Sequence, residues 1–401
     1  MRSTIGILGL ALFAAACIRD PLFPGLPRYS REPPSVREQP DSTADVDVIP
    51  PGEHVYLTAV RFPDGFAWQE DTCAVDGPVW IDLYRDGALV RSIPAGGSLH
   101  PDMHRYMGGH LYTDCSAGQE TIISRDGAEL FRFEGREAMR GFLVREDGIH
   151  TLGQDRDGEG FTYRVNGRIV FRSETGAVLG SADEPGAPGG ALAEFGENVC
   201  YPCRIPSERG MQYRVMQGEE TLYDVQEQDG VRLFRFMNGK PCRVQYARRV
   251  HYLYAGDQGS VLSLQGGEVL LWCRLSAWED QILALCCVSS LKAQRCFLQT
   301  SDGRVFQGRA GESAEEILVE GGRMGWTVTD GRGDLLRVRW SDGTATESAG
   351  GCLVSSRCAL LRDGHLLLAL TGRNGAPNRF QKDDRSTDIP FNGYFTSVTV
   401  E

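Results

Sequence analysis

Two-residue turn signals punctuate this chain, among them Asp-Gly at 64, 76, 86, 126, 147, 157, 229, 302, 330, 342 and 363, and Asn-Gly at 166 and 238. Glycine takes positive φ without steric cost, and Asp and Asn tolerate it better than most residues. Each dipeptide therefore favours the tight turn whose twist matches a pair of antiparallel strands. A chain with this many must be assembled from short hairpins. The runs His54–Phe62, Gly210–Val215, Val231–Phe236 and Leu335–Trp340 read as strands, and no region keeps a helical period, Ala277–Cys287 coming nearest.

The spacing of the turns adds a period. Gly87, Gly127 and Gly167 lie 40 residues apart, as do Gly303 and Gly343. The 21-residue step from Gly127 to Gly148 recurs from Gly343 to Gly364. A period near 40 with four short strands per unit predicts an all-β fold, a β-propeller. Dividing residues 54–401 by a blade of about 40–45 residues gives seven or eight blades. Tyr394–Val400 is then expected to close the ring against His54–Phe62. The alternative is a pair of β-sandwiches joined at residues 183–191, DEPGAPGGA.

The chain opens MRSTIGILGLALFAAAC. Arg2 precedes an apolar run from Ile5 to Phe13, and three alanines lead into Cys17. The run is shorter than the roughly 20 residues that a membrane-spanning helix needs, so it has the layout of a cleaved secretory signal. It resembles a bacterial lipoprotein signal, with Ala14-Ala15-Ala16-Cys17 as the lipobox and Ala14 where the family usually has Leu. The resemblance implies a signal peptide over 1–16 and a lipid on Cys17, which would anchor the protein to a membrane. Ile18 after the cysteine, rather than Asp, implies sorting to the outer membrane of the cell envelope, with the side left open. Residues 18–53 hold eight of the nineteen prolines and few apolar side chains. Such a segment is a semi-extended tether, so the organisation read from the sequence is a linker over 17–53 and a propeller over 54–401.

The formal net charge of −12 argues against a nucleic-acid partner, since phosphate binding needs a basic surface. Twelve cysteines in an exported chain predict disulfides. The candidates are Cys352–Cys358, Cys73–Cys115, a pair within 286, 287 and 296, and the C-x-x-C spacing Cys200–Cys203, which lies in no β-α-β pattern and is expected to be structural. Setting Cys17 aside leaves eleven, so at least one thiol has no partner within the chain.

Residues 252–275 resemble a repeat of the quinoprotein-like, tryptophan-docking propellers, through Tyr254, Gly256-Asp257, Gly259, Leu262, Leu264, Gly267, Val269 and Trp272. Within that family, a membrane-anchored propeller of this size is similar to the lipoprotein of the outer-membrane β-barrel assembly machinery. That similarity implies a protein that binds partners and does not catalyse. A shorter segment, Cys358–Gly364, resembles a chromosome-condensation-regulator repeat.

Two clusters could carry metal chemistry. His100, His104 and His110 fall within eleven residues and could supply imidazole ligands to a transition metal. Asp155, Asp157 and Glu159 place oxygens on alternate residues ahead of Gly160, as a calcium loop does, with Glu at the third position and Asn166 at the twelfth. A calcium ion is the one cofactor this pattern suggests. The chain has no Gly-x-Ser-x-Gly elbow, His-Glu-x-x-His pair or phosphate loop. No catalytic residue can be nominated. The reading is an envelope lipoprotein that serves as a non-catalytic protein-binding scaffold, or a subunit of a membrane-associated assembly. The competing one is a surface enzyme or adhesin acting on polysaccharide or peptide through a propeller channel.

Overall fold

The computed structural model describes residues 53–401 apart from 68–77, 96–103, 118–119, 135–136, 156–159, 180–191, 226–229, 330–334, 348–351, 354–356, 374–375 and positions 174, 209 and 292. Cys17, Cys73, His100, Asp157, Glu159 and the 183–191 segment lie outside the described residues.

Most turn signals within the described residues close hairpins, and the hairpins form eight antiparallel sheets. Blade 1 takes β1 (Val55–Arg61), β2 (Trp80–Arg85) and β3 (Ala88–Pro94) from the start of the domain. Blade 2 is β4 (His104–Met107), β5 (His110–Ala117), β6 (Glu120–Arg125) and β7 (Ala128–Glu134). Blade 3 is β8 (Glu137–Arg145), β9 (Gly148–Asp155), β10 (Phe161–Val165) and β11 (Arg168–Arg172). Blade 4 holds β12 (Val178–Leu179), β13 (Ala193–Phe195), β14 (Asn198–Ser207), β15 (Gly210–Gln217) and β16 (Glu220–Val225). Blade 5 follows with β17 (Val231–Met237), β18 (Lys240–Ala247), β19 (Val250–Ala255) and β20 (Gln258–Val261). Blade 6 has β21 (Val269–Trp278), β22 (Gln281–Ser289), β23 (Gln294–Thr300) and β24 (Val305–Gln307). Blade 7 has β25 (Ser313–Glu320), β26 (Arg323–Thr329), β27 (Leu335–Trp340) and β28 (Ala345–Glu347). Blade 8 has β29 (Cys352–Leu353), β30 (Ala359–Arg362), β31 (His365–Gly372), β32 (Arg379–Lys382) and β33 (Arg385–Asp388). The last strand, β34 (Gly393–Val400), returns to pair with β1, from Val55↔Val400 to Arg61↔Gly393. This is the closure expected from the sequence, and the blade count is eight.

The core lies between blades. One cluster joins blades 1 and 2 through Ile81, Leu83, Tyr106 and Leu111; another joins blades 6 and 7 through Leu283, Leu285, Met324 and Trp326. Because each blade is covered on both faces, a middle strand can carry apolar side chains on both sides, most clearly in β22. On β22, Ile282, Ala284, Cys286 and Val288 face blade 5, while Leu283 and Leu285 face blade 7. That double burial explains the near-helical spacing of Ala277–Cys287, which spans the β21–β22 hairpin. The fourth strands are the exposed outer edge, and the first strands line the axis.

Residues 183–191 do not join two sandwiches. They fall between β12 and β13, which both pair with β14 and together form the interrupted inner strand of blade 4. Blade 8 is interrupted likewise, with β29 and β30 both on β31. In an eightfold ring, blades 4 and 8 stand opposite one another.

Candidate interaction face on blades 5 and 6

Antiparallel order puts the turns between first and second strands, and between third and fourth, at one end of the ring. The second-to-third turns and the connections between blades lie at the other end. On that second end, blade 5 makes its turn with Arg248-Arg249, at φ of +50° and +68°. At the first end of the same blade, Asn238-Gly239 occupies the equivalent turn positions with φ of +49° and +68°. Asn-Gly suits that conformation; a pair of arginines is strained in it by roughly 1–3 kcal/mol per residue. Backbone geometry alone does not select two arginines here, and both side chains are exposed.

Exposed apolar side chains occur at the same end of blades 5 and 6 as this turn. Five of the nine exposed large hydrophobics among the described residues belong to this end of blades 5 and 6: Tyr246, Val261, Val269, Leu271 and Leu291, from 41% exposed to fully exposed. Val261 ends β20, Val269 and Leu271 begin β21, and Leu291 caps the β22–β23 turn. Leu271 is turned outward by a bulge between Leu270 and Trp272. Large apolar groups exposed at one end of two neighbouring blades make that end the candidate for an interaction surface.

Buried chemistry fixes this face. Tyr246 packs on the His251 ring, centroids 4.8 Å apart. Burial, aided by the nearby Arg232 charge, pushes the His251 imidazole below its ordinary range, so it is neutral at pH 7. Gly230, at φ +83°, accepts the Tyr246 N–H at 2.8 Å, and a Cβ there would overlap the Tyr246 carbonyl. Arg232 donates to the Leu270 carbonyl at 3.4 Å and ties the two blades together. The segment that resembles a tryptophan-docking repeat runs across this same pair of blades. Its Gly259 makes room for the Tyr254 ring, on which the Arg243 guanidinium lies 4.0 Å from the centroid.

The axial wall has a different character. Arg235, Arg274 and Glu316 lie on the inner strands of blades 5, 6 and 7. Arg274 approaches Glu316 at 3.4 Å, and the Arg357 N–H donates to the same carboxylate at 3.2 Å. Burial, reinforced by Arg274, lowers the Arg235 guanidinium to about 10. Glu137 is held by Arg164, and Glu320 accepts the Gly364 N–H at 2.6 Å. Asp126, Glu268, Glu312 and Asp342 are all shifted downward, opposite to what a general acid needs.

Of the three histidines nominated as metal ligands, His100 lies outside the described residues, and His104 and His110 are not brought together. His104 and His110 stand at opposite ends of the β4–β5 hairpin, where His104 pairs with Thr113 and His110 with Met107. At about 3.3 Å per residue, three residues of strand hold them roughly 10 Å apart. His110 has another task. Its Nδ1 meets Asp126 Oδ2 at 2.6 Å, while Asp126 Oδ1 accepts the Leu111 N–H at 2.9 Å. His54 with Asp86, and His365 with Asp383, repeat this clamp, and Asn166 performs the backbone half of it on Ile149. A histidine opening the second strand, with an Asp beginning the following third-to-fourth turn, was a sequence signal for it. Asp155 ends β9 at the mouth of its hairpin, its N–H donating to the Gly160 carbonyl at 2.9 Å. Among the described residues, no group of three or more His, Cys, Asp or Glu side chains is placed to hold a metal ion.

Cys200 and Cys203 are free thiols on opposite faces of β14: Cys200 packs toward blade 5 and Cys203 toward blade 3. They are not joined to each other, because residues three apart on a strand point to opposite sides. Cys352 and Cys358 share one buried cluster, and Cys115 lies on β5.

No family model and no curated protein matches this chain. Several solved structures are similar in fold. The β-propeller domain of the Trilobed protease from Pyrococcus furiosus is 8% identical at a TM-score of 0.44, covering 72% of this chain and 94% of that one. Kluyveromyces lactis Hsv2 is 12% identical at 0.40, over 73% and 98%. A puromycin hydrolase is 12% identical at 0.44, over 74% of this chain and 54% of that chain. Likeness at this level carries no activity across, and the eight-bladed β-propeller rests on the chain's own strand order.

Proposed function

We propose that the protein is an envelope-anchored, non-catalytic binding scaffold, tethered through a lipid on Cys17 and the proline-rich linker. Its partner docks on the blade 5–6 face. The observation that supports this is the gathering of Tyr246, Val261, Val269, Leu271 and Leu291 beside the strained Arg248-Arg249 turn. Two arginines next to apolar groups fit a partner protein that presents carboxylates beside apolar side chains. Of these residues, Tyr246 and the two arginines are of the types that concentrate binding energy at interfaces. A rigid ring displaying loops suits that task.

The test is detergent extraction of the tagged full chain, with mass spectrometry of what copurifies, for wild type and for Arg248→Glu/Arg249→Glu and Leu291→Asp variants. A stoichiometric protein lost from both variants, with their melting unchanged, supports the reading. A partner retained by both, or a wild type that copurifies with none, overturns it. Cys17→Ser should move the protein to the soluble fraction; a variant that stays with the membrane overturns the lipid anchor.

A further inference from the structure

We infer that blade 6 carries a cross-strand disulfide site between Cys273 and Cys286. The two are direct register partners on β21 and β22, and their sulfur atoms lie 3.5 Å apart. Their position in the ladder follows by counting from the hairpin. Trp278 and Gln281 flank a two-residue turn and form a hydrogen-bonded pair. Alternation then makes Ala277–Ile282, Leu275–Ala284 and Cys273–Cys286 the non-hydrogen-bonded pairs. At such pairs the Cα atoms approach to about 4.5 Å, within the span of roughly 4.4–6.8 Å that a disulfide bridges.

The neighbouring thiols are directed elsewhere. Cys287 follows Cys286 on the strand and so faces the other side of the sheet. There it receives the Gln294 amide at 3.0 Å and contacts the Ser313 hydroxyl at 3.8 Å. Cys296 packs into the cluster shared with blade 7. The sequence suggested a pair within 286, 287 and 296; the fold selects Cys273 as the partner of Cys286.

The oxidant is a low-molecular-weight or protein disulfide, R–S–S–R. Cys286 is fully buried and its burial keeps the thiol protonated, whereas Cys273 reaches solvent, so Cys273 reacts first. Its thiolate attacks one sulfur of R–S–S–R, forming a mixed disulfide and releasing RS⁻. Cys286 then loses its proton and attacks the Cys273 sulfur, expelling the second RS⁻. Two thiol protons and two electrons pass to the oxidant, leaving one Cys273–Cys286 bond and two RSH.

The experiment treats the purified full chain with excess oxidised glutathione, quenches in acid, alkylates and digests with trypsin. Cleavage after Arg274 separates the two cysteines. The expected product is the peptide ending at Arg274 linked to the peptide from Leu275 to Lys292, lighter by two hydrogens than the sum of its parts. It should be complete in wild type and in Cys287→Ser, absent in Cys273→Ser, and reversed by dithiothreitol. Alkylation of both Cys273 and Cys286 after oxidation overturns the inference, as does loss of the linked peptide in Cys287→Ser.

Discussion

Glu137 and Arg164 form a buried ion pair in blade 3, and its removal can be predicted in sign and size. The Arg164 guanidinium donates two hydrogen bonds to the carboxylate, each 2.6 Å long, and the side chains are only 3% and 7% exposed. The guanidinium also lies over the Phe133 ring, 4.1 Å from its centroid. Gly153, on the strand between them, carries no side chain because a Cβ there would overlap a Glu137 carboxylate oxygen. In Glu137→Gln the guanidinium stays buried and loses its counter-charge, a loss of about 3–5 kcal/mol. Arg164→Met leaves the carboxylate in the same position and should cost a similar amount. The double variant Glu137→Leu/Arg164→Met removes both charges, and a matched apolar replacement ranges from neutral to about 1–4 kcal/mol more stable. The double variant should therefore be more stable than either single one. Asp388→Asn is the comparison: Arg379 and Asp388 meet at 2.7 Å, but at 26% and 59% exposure. Water screens that pair, and its loss should cost about 0.2–1 kcal/mol. Urea unfolding of the four variants and wild type reads all of these effects. If Glu137→Gln costs no more than Asp388→Asn, or the double variant's loss equals the sum of the single losses, the pair is not held as described.

Three further outcomes follow from the packing. Gly393→Ala would drive a Cβ into the Val60 carbonyl where β34 closes the ring on β1, and should lower stability by about 1–3 kcal/mol and open the closure to protease; unchanged urea and proteolysis profiles would refute this. Trp326→Ala empties one of the largest fully buried sites, between blades 6 and 7, and should cost about 3–5 kcal/mol in the urea midpoint. Arg295, bonding Glu268 at 2.6 and 2.7 Å, holds that carboxyl below its ordinary value of 4.5 against the opposing effect of burial. A depressed folded value means the contribution is complete above the unfolded value and is lost as pH falls through the folded one. The stability difference between wild type and Glu268→Gln should thus be level at neutral pH and shrink as pH falls below 4.5; a difference independent of pH would contradict it.

Much of the ring was legible in the turns. Gly87, Gly127 and Gly167 each sit in the third-to-fourth turn of blades 1, 2 and 3, and Gly303 and Gly343 in those of blades 6 and 7. The 21-residue step is also a real interval: Gly148 and Gly364 close the first-to-second turns of blades 3 and 8. The candidate sites were less legible. His110 has the chemistry of a metal ligand and also that of a turn clamp, and only its placement beside Asp126 separates the two. Cys286 stands next to Cys287 in sequence, yet strand alternation turns them apart and register delivers Cys273. The apolar face of blades 5 and 6 draws on residues spread from Tyr246 to Leu291, four at strand positions and Leu291 in a turn, and only the ring brings them to one end.

What the sequence determined alone was local: where the chain turns, since positive φ at Asp86-Gly87 or Asn238-Gly239 is a property of two adjacent residues, and hence the hairpins and their period. The tertiary structure decided everything that depends on partners distant along the chain. It decided that eight blades close rather than seven, that inner strands break in blades 4 and 8, which cysteines meet, and which apolar side chains remain uncovered. Closing β34 on β1 sets the angle between blades, and that angle fixes which side chains each blade presents to its neighbours and which it leaves at the rim.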